Sequence, residues 1–386
     1  MVRREITKTL LERAGQFPVL TLTGPRQSGK TTLVRHCFPN YRYANLEDPE
    51  TRLLAESDYH RFFAMFEPPV IIDEIQRVPG LASAIQVMVD ERRQERGRFI
   101  LTGSHQPLLR QAVTQSLAGR SAFLKLLPLT LSELSTTGNI AGNGADALIL
   151  RGTMPELAGS DIPPSIYYRN YLQTYVERDV RQIANIRDTS AFMRFITMLA
   201  GRTGQLLNLN SLSGEVGASH TTLAGWLDIL EASFIVYRLF PFFPKIGKRL
   251  VKTPKIYFTE TGLAASLLGL KTGEQVAHDP LRGSLFENMV VGDIMRRRMN
   301  RDEPDGLFFF RTSDGLEIDL LEQTEAGMRP IEIKSSMTYS PALETGLRKY
   351  LLLFPDAPSP TLLYAGTALA ANRDGIACRN YLDFRE

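Results

Sequence analysis

Cysteine is nearly absent from this chain of 386 residues: Cys37 and Cys378 stand near opposite ends. Two thiols so placed build neither a disulfide framework nor a metal-ligand pair, and both read as packing residues. Long apolar runs are missing too, since no stretch approaches the roughly 20 residues that span a bilayer. The opening Met1-Val2-Arg3-Arg4-Glu5 is not followed by the apolar core of a signal peptide, so a cytoplasmic location without a membrane partner is expected. There is little excess of either charge: the net value is +3. A balance so close announces no nucleic-acid partner, although it can hide a local basic face. We find no internal repeat and no long low-complexity segment.

What is present exceeds one hydrophobic core, and two to four domains are the reasonable prior at this length. Short apolar runs at Phe17 to Thr23, Val70-Ile71-Ile72 and Phe99-Ile100-Leu101-Thr102 alternate with helical patterns. That alternation predicts a parallel sheet buried on both faces, an α/β architecture. The first run leads into Gly24-Pro25-Arg26-Gln27-Ser28-Gly29-Lys30-Thr31, which fits G-x-x-x-x-G-K-[ST] in the required strand-loop-helix context. Glycines let the backbone wrap a phosphate, the helix N-terminus offers free N–H groups, and Lys30 reaches the β- and γ-phosphates of ATP. Thr31 is read as a Mg²⁺ ligand, and Thr32 closes the loop.

Val70-Ile71-Ile72 ends in Asp73 and Glu74, at the strand edge where ligands of such sheets bind. Asp73 can hold Mg²⁺ through water, and Glu74 is placed to deprotonate the attacking water. Ser104, after the third run, either touches the γ-phosphate or simply caps a turn. Charge spreading onto the γ-phosphate calls for a cation. Arg120, Arg151 and Arg178 are candidates, each with an ordinary salt-bridge reading beside it.

At this point the chain resembles the prokaryotic AAA-type ATPases whose C-terminal half is the domain of unknown function 4143. The resemblance rests on the P-loop through Thr32, on Ile72-Asp73-Glu74-Ile75-Gln76 and on Leu101-Thr102-Gly103-Ser104. It continues in Leu117-Ala118-Gly119-Arg120, Leu127-Pro128-Leu129, Tyr175-Val176-Glu177-Arg178-Asp179 and Lys252-Thr253-Pro254-Lys255-Ile256-Tyr257-Phe258, so it spans nearly the whole chain. One departure is Arg151-Gly152-Thr153-Met154-Pro155-Glu156, where the family more often has paired glycines. The resemblance implies a RecA-like, AAA+ core, a helical lid, a winged helix and a terminal nuclease-like fold. We divide the chain accordingly into residues 1–130, 131–195, 196–260 and 261–386.

From Leu206 to Phe258 the order of short helix, turn, second helix and two β-rich runs suits a winged helix-turn-helix. Ser219-His220-Thr221-Thr222 opens its second helix, putting Thr221 and Thr222 where phosphates or base edges are met. Leu223, Trp226, Leu227 and Leu230 read as its buried stripe. Between the wing strands, Lys245, Lys248, Arg249, Lys252 and Lys255 form a basic run without an acid. Such a run follows a DNA backbone, or is a solvated loop on a protein-docking module.

Near the end, Glu317-Ile318-Asp319 and Glu332-Ile333-Lys334 lie on consecutive strand-like runs, and Glu287 lies on a preceding helix. Alternation puts Glu332 and Lys334 on one face. This looks like the PD-(D/E)xK superfamily and its restriction-endonuclease-like fold, with Glu287, Asp319 and Glu332 as metal ligands and Lys334 catalytic. Glu-x-Lys is also common on edge strands that resist aggregation.

The reading is therefore a Mg²⁺-dependent ATPase acting on or regulated by DNA, with a homo-oligomer or ring left open. Its rivals are a nucleotide-gated protein-docking switch with a silent C-terminal fold and a nuclease licensed by ATP.

Overall fold

The structure, a computed structural model, describes residues 2–104, 116–138, 144–174, 186, 188–243, 250–367, 372–373 and 375–384. Arg178, Lys245, Lys248 and Arg249 lie outside the described residues. The N-terminal part runs α1 (Thr7–Gln16), β1 (Val19–Thr23), α2 (Lys30–Cys37), β2 (Arg42–Asn45), α3 (Pro49–Ser57), α4 (Tyr59–Met65), β3 (Val70–Asp73), α5 (Leu81–Glu91), β4 (Phe99–Gly103) and β5 (Ser121–Lys125). Its strands form a parallel sheet in the order β2-β3-β4-β1-β5.

β1, β3 and β4 are buried at every position, which is why they read as unbroken apolar runs. Successive residues feed opposite cores. Leu20, Leu22, Ile71, Ile100 and Leu124 pack with Leu10, Leu33 and Val34 of α1 and α2. Val19, Val70, Ile72, Phe99 and Leu101 pack with Phe62, Leu81 and Ile85 of α4 and α5. At about 1.5–3 kcal/mol for each large aliphatic side chain buried, this two-sided burial outweighs intrinsic strand propensity, which spans only about 1 kcal/mol.

The middle of the chain supplies α6 (Leu131–Ser135), α7 (Ala145–Arg151), α8 (Pro155–Ala158), α9 (Pro164–Tyr171), α10 (Thr189–Ala200), β6 (Gln205–Leu206), α11 (Leu209–Val216), α12 (His220–Ala232), β7 (Val236–Leu239) and β8 (Lys255–Phe258). Asp188, Asn208 and Ser219 cap α10, α11 and α12, each side chain accepting an N–H three residues on, so polar residues set these starts. Leu223, Trp226, Leu227 and Leu230 are all buried. Trp226 meets Phe192 edge to face, with ring centroids 5.3 Å apart, and is a core residue. β8 is the central strand of an antiparallel sheet ordered β6-β8-β7. β7 starts two residues later than the apolar run that begins at Phe234, because Phe234 takes a left-handed φ of 59° and turns the chain.

α13 (Thr261–Leu267), α14 (Gly273–His278) and α15 (Arg282–Asn300) lead into β9 (Leu307–Arg311), β10 (Glu317–Thr324), β11 (Gly327–Lys334), α16 (Thr345–Leu353), β12 (Thr361–Tyr364), β13 (Asn372–Arg373) and β14 (Ile376–Asn380). These strands make a third, mixed sheet ordered β13-β14-β12-β11-β10-β9. α15 covers one face through Leu285, Phe286 and Met289, and α16 the other through Leu347 and Tyr350. The architecture is thus α/β, a five-stranded parallel core followed by a separate C-terminal mixed sheet. No helix among the described residues is long and apolar enough to cross a membrane, and both cysteines are free.

Candidate nucleotide site and C-terminal acidic cluster

The loop between β1 and α2 is shaped by its ends. Gly24 takes a φ of 155°, and a Cβ there would lie 2.0 Å from the Leu126 carbonyl oxygen; no side chain fits at this approach. Gly29, φ 89°, immediately precedes α2. Lys30 is buried, and its ammonium donates to the carbonyls of Gly24 (3.0 Å) and Pro25 (2.8 Å). Burial pushes its pKa down to about 8, against the pull of Glu74 and Asp73 in the other direction. Ser28 is fully buried, and its hydroxyl has no hydrogen-bond partner. Gln27, at a left-handed φ of 61°, accepts from the Tyr167 hydroxyl of α9 at 2.6 Å. Arg26 lies 3.8 Å from Glu47, and Thr32 is exposed on the first turn of α2.

Parallel pairing brings the ends of β1, β3 and β4 to one sheet edge. There Thr31 donates to Asp73 Oδ2 at 2.8 Å, as does the Tyr43 hydroxyl at 2.8 Å, while Thr102 donates to Asp73 Oδ1. Glu74 sits at φ 59°, ψ 45°, a conformation uncommon outside glycine and concentrated at functional sites. Its carboxylate accepts from Ser104 Oγ at 3.0 Å and from the Gln76 amide. A cleft of about 960 Å³ opens over this edge, bordered by Val2, Arg26, Lys30, Thr31, Glu74 and Tyr171. The residues fit a magnesium nucleotide. A buried ammonium and an orphaned buried hydroxyl line the loop, and a hydroxyl–carboxylate pair suited to a hard cation stands beside them.

Of the arginines, Arg120 is not at this edge. It precedes β5, whose first residue pairs with the first of β1, so six residue steps along the strands, roughly 20 Å, separate its level from that of Gly24. Its guanidinium is bidentate on Asp90 of α5, at 2.8 Å twice. The catalytic assignment of Arg120 is corrected accordingly: within one chain it is a salt-bridge residue. Arg151 binds the Leu157 and Ser160 carbonyls and braces its own loop.

Arg4 was missed as a site residue. It is buried, donates to the Ser28 carbonyl at 2.8 Å and the Leu127 carbonyl at 2.7 Å, and pairs with Glu133 at 3.2 Å. Nothing near Arg4 in sequence signals that reach. Tyr43, Gln76 and Thr102 were given no site role either, although Gln76 and Thr102 stand within the motifs that carry the resemblance.

The C-terminal residues do gather. Lys334 lies 2.7 Å from Glu332 Oε1 and 3.1 Å from Asp319 Oδ2, which also accepts from Ile333 N–H at 2.8 Å. Glu287 accepts from the Tyr257 hydroxyl at 2.5 Å and from Lys255 at 2.9 Å. Lys255 also lies 2.6 Å from Glu317. Its inclusion in the basic wing is therefore corrected: at 2% side-chain exposure it faces acids, not solvent. Burial works against its charge, but Glu287, Asp319 and Glu317 outweigh burial and raise its pKa. Burial also lifts Glu287 to about 6 and, reinforced by Asp319, Glu332 to about 8.

Among the described residues no group of three or more His, Cys, Asp or Glu is arranged to hold a metal ion. The cluster does not fit the Mg²⁺ site read for Glu287, Asp319 and Glu332, because Lys255 and Lys334 already stand among its carboxylates, each within 3.1 Å of two of the cluster's acids. On the helix proposed to meet nucleic acid, Thr221 and Thr222 are exposed, and so is Lys252.

The AAA-domain family matches residues 16–135, a domain of unknown function numbered 8612 matches 143–274, and the domain of unknown function 4143 matches 282–379. An uncharacterized protein of Mycobacterium tuberculosis is 32% identical over 357 residues, covering 91% of this chain and 77% of that protein. One from Haemophilus influenzae is 26% identical over 314 residues, covering 74% and 76%. Among solved structures, a Walker-type ATPase of Pyrococcus abyssi is similar with a TM-score of 0.43 and 14% identity, over 69% of this chain and 96% of that one. Thermotoga maritima RuvB follows with a TM-score of 0.31 and 20% identity, over 60% and 87%. With its P-loop, its parallel core and its C-terminal sheet accounted for, the chain belongs to the family of AAA-domain proteins that end in the domain of unknown function 4143.

Proposed function

We propose that this protein is a Mg²⁺-dependent ATPase whose turnover acts on, or is governed by, DNA. The observation that carries the ATPase half is the placement of Glu74, one residue beyond Asp73 and at the same sheet edge as Lys30 and Thr31. Lys30 would exchange the Gly24 and Pro25 carbonyls for phosphate oxygens, with the N-terminus of α2 adding its free N–H groups. Thr31 and Asp73 would hold Mg²⁺, which when bound screens phosphate charge. Glu74 takes the proton of the attacking water, and Ser104 and Gln76 fix the direction of its carboxylate. The residues 131–195 then act as a lid, tied to the loop through Tyr167 and Gln27. A homo-oligomer or ring would let a neighbouring copy place a further cation beside the γ-phosphate.

The DNA half rests on residues 196–260. The order α10-β6-α11-α12-β7-β8, with β8 central, supports the winged-helix reading. The exposed Thr221 and Thr222 begin α12, and Lys245, Lys248, Arg249 and Lys252 fall between β7 and β8. A second reading, a nucleotide-gated switch that docks protein through the same helix, is favoured by the ion-paired acids Glu287, Glu317, Asp319 and Glu332. Steady-state ATPase assays with Mg²⁺, with and without single-stranded, duplex and four-way DNA, separate the two. DNA should raise the rate, and Glu74→Gln should keep ATP binding while losing about 10²–10⁴-fold in turnover. A rate indifferent to every DNA supports the docking switch, and full turnover in Glu74→Gln assigns the base elsewhere.

A further inference from the structure

We propose that the Lys255 ammonium is the resident cation of the C-terminal acidic cluster. It fills the position of charge that a divalent ion would need, keeps the cluster metal-free, and ties β8 to the C-terminal sheet.

Three facing carboxylates set this arrangement. Glu287 comes from α15, and Glu317 and Asp319 alternate on β10. Lys255 approaches Glu287 Oε1 to 2.9 Å and Glu317 Oε1 to 2.6 Å. Asp319 Oδ2 is occupied by the Ile333 N–H and by Lys334, and the second oxygen of Glu317 by Arg311 at 2.9 Å. A hard cation needs about six oxygen ligands at roughly 2.0–2.6 Å. Here both oxygens of Glu317 and one oxygen each of Glu287, Asp319 and Glu332 already contact nitrogen, only Glu332 Oε2 being buried without a partner, and an ion entering among them would meet an ammonium of like charge.

Nor is Lys255 free to swing away. It stands on the central strand β8, paired through Leu239 on one side and Leu206 on the other, and its ammonium lies 5.5 Å from the centroid of the Phe309 ring. The chain on either side of the basic run is pinned to β9 as well, Phe242 N–H to the Phe309 carbonyl and Val251 N–H to the Arg311 carbonyl. Four acids, Glu287, Glu317, Asp319 and Glu332, thus meet Lys255, Lys334 and Arg311. Buried charges persist when each is paired and hydrogen-bonded, which the lysines achieve without a metal.

Counting bound Mn²⁺ by electron paramagnetic resonance on the full chain tests the proposal. The Asp73→Asn chain, with the nucleotide site disabled and the acidic cluster untouched, should bind no Mn²⁺ up to about 1 mM, the weak end of protein sites for hard cations. One bound ion there, abolished by adding Asp319→Asn, overturns the proposal. Adding Lys255→Met to Asp73→Asn should create one Mn²⁺ site that Asp319→Asn removes, with a Mn²⁺-dependent rise in Tm. A folded Lys255→Met chain that gains no ion also overturns it. Should that variant fail to fold, the Asp73→Asn measurement decides alone.

Discussion

Lys30 shows how one residue's surroundings set a measurable pH dependence. An unfolded chain holds this proton to about 10.5, whereas in the folded loop burial lowers the pKa to about 8. Between those values the folded protein binds fewer protons than the unfolded chain, so this group makes stability rise with pH across that window. Nucleotide binding runs the other way, because phosphates favour the charged ammonium. ATP affinity should be flat below pH 8 and fall as pH rises beyond it, by up to tenfold per unit, with net proton uptake on binding. Calorimetry at pH 9 in buffers of different ionisation enthalpy reads that uptake, and none should remain in Lys30→Met.

At the scale of elements, the P-loop is held from outside its own motif. Arg4, three residues before α1, joins the Ser28 carbonyl, the chain leaving β5 at Leu127 and Glu133 of α6. Glu133 in turn forms a capping box with Thr130, the N-cap of α6. The pair is buried, with side-chain exposures of 5% and 1%, so removing one partner strands the other. Arg4→Met should cost about 3–5 kcal/mol in urea unfolding and weaken ATP binding by loosening the Ser28 carbonyl, whereas loss of the exposed Lys8–Glu12 pair should cost under about 1 kcal/mol.

For the whole molecule, charge location decides more than charge number. Neutralising Lys248, Arg249 and Lys252 together should weaken DNA binding and lower its slope against log salt by up to about 3. Affinity unchanged across the salt titration would point to protein docking instead. Lys255 is excluded from this set, since it is buried against Glu287 and Glu317 and has no counterion to release.

Sequence alone determined the nucleotide loop and the Asp73–Glu74 pair, because strand, loop and helix are contiguous and the motif's chemistry lies within a few residues of backbone. It also determined the buried stripe of α12, where apolar periodicity is local. Tertiary structure alone decided that Arg120 faces Asp90 at the far edge of the sheet, since strand order and direction are not written in any one segment. It alone carried Arg4 across 129 residues to Glu133. It alone turned Lys255 from the last cation of a basic run into a buried counter-charge, because the acids that make such burial tolerable come from α15 and β10, which only folding brings to β8.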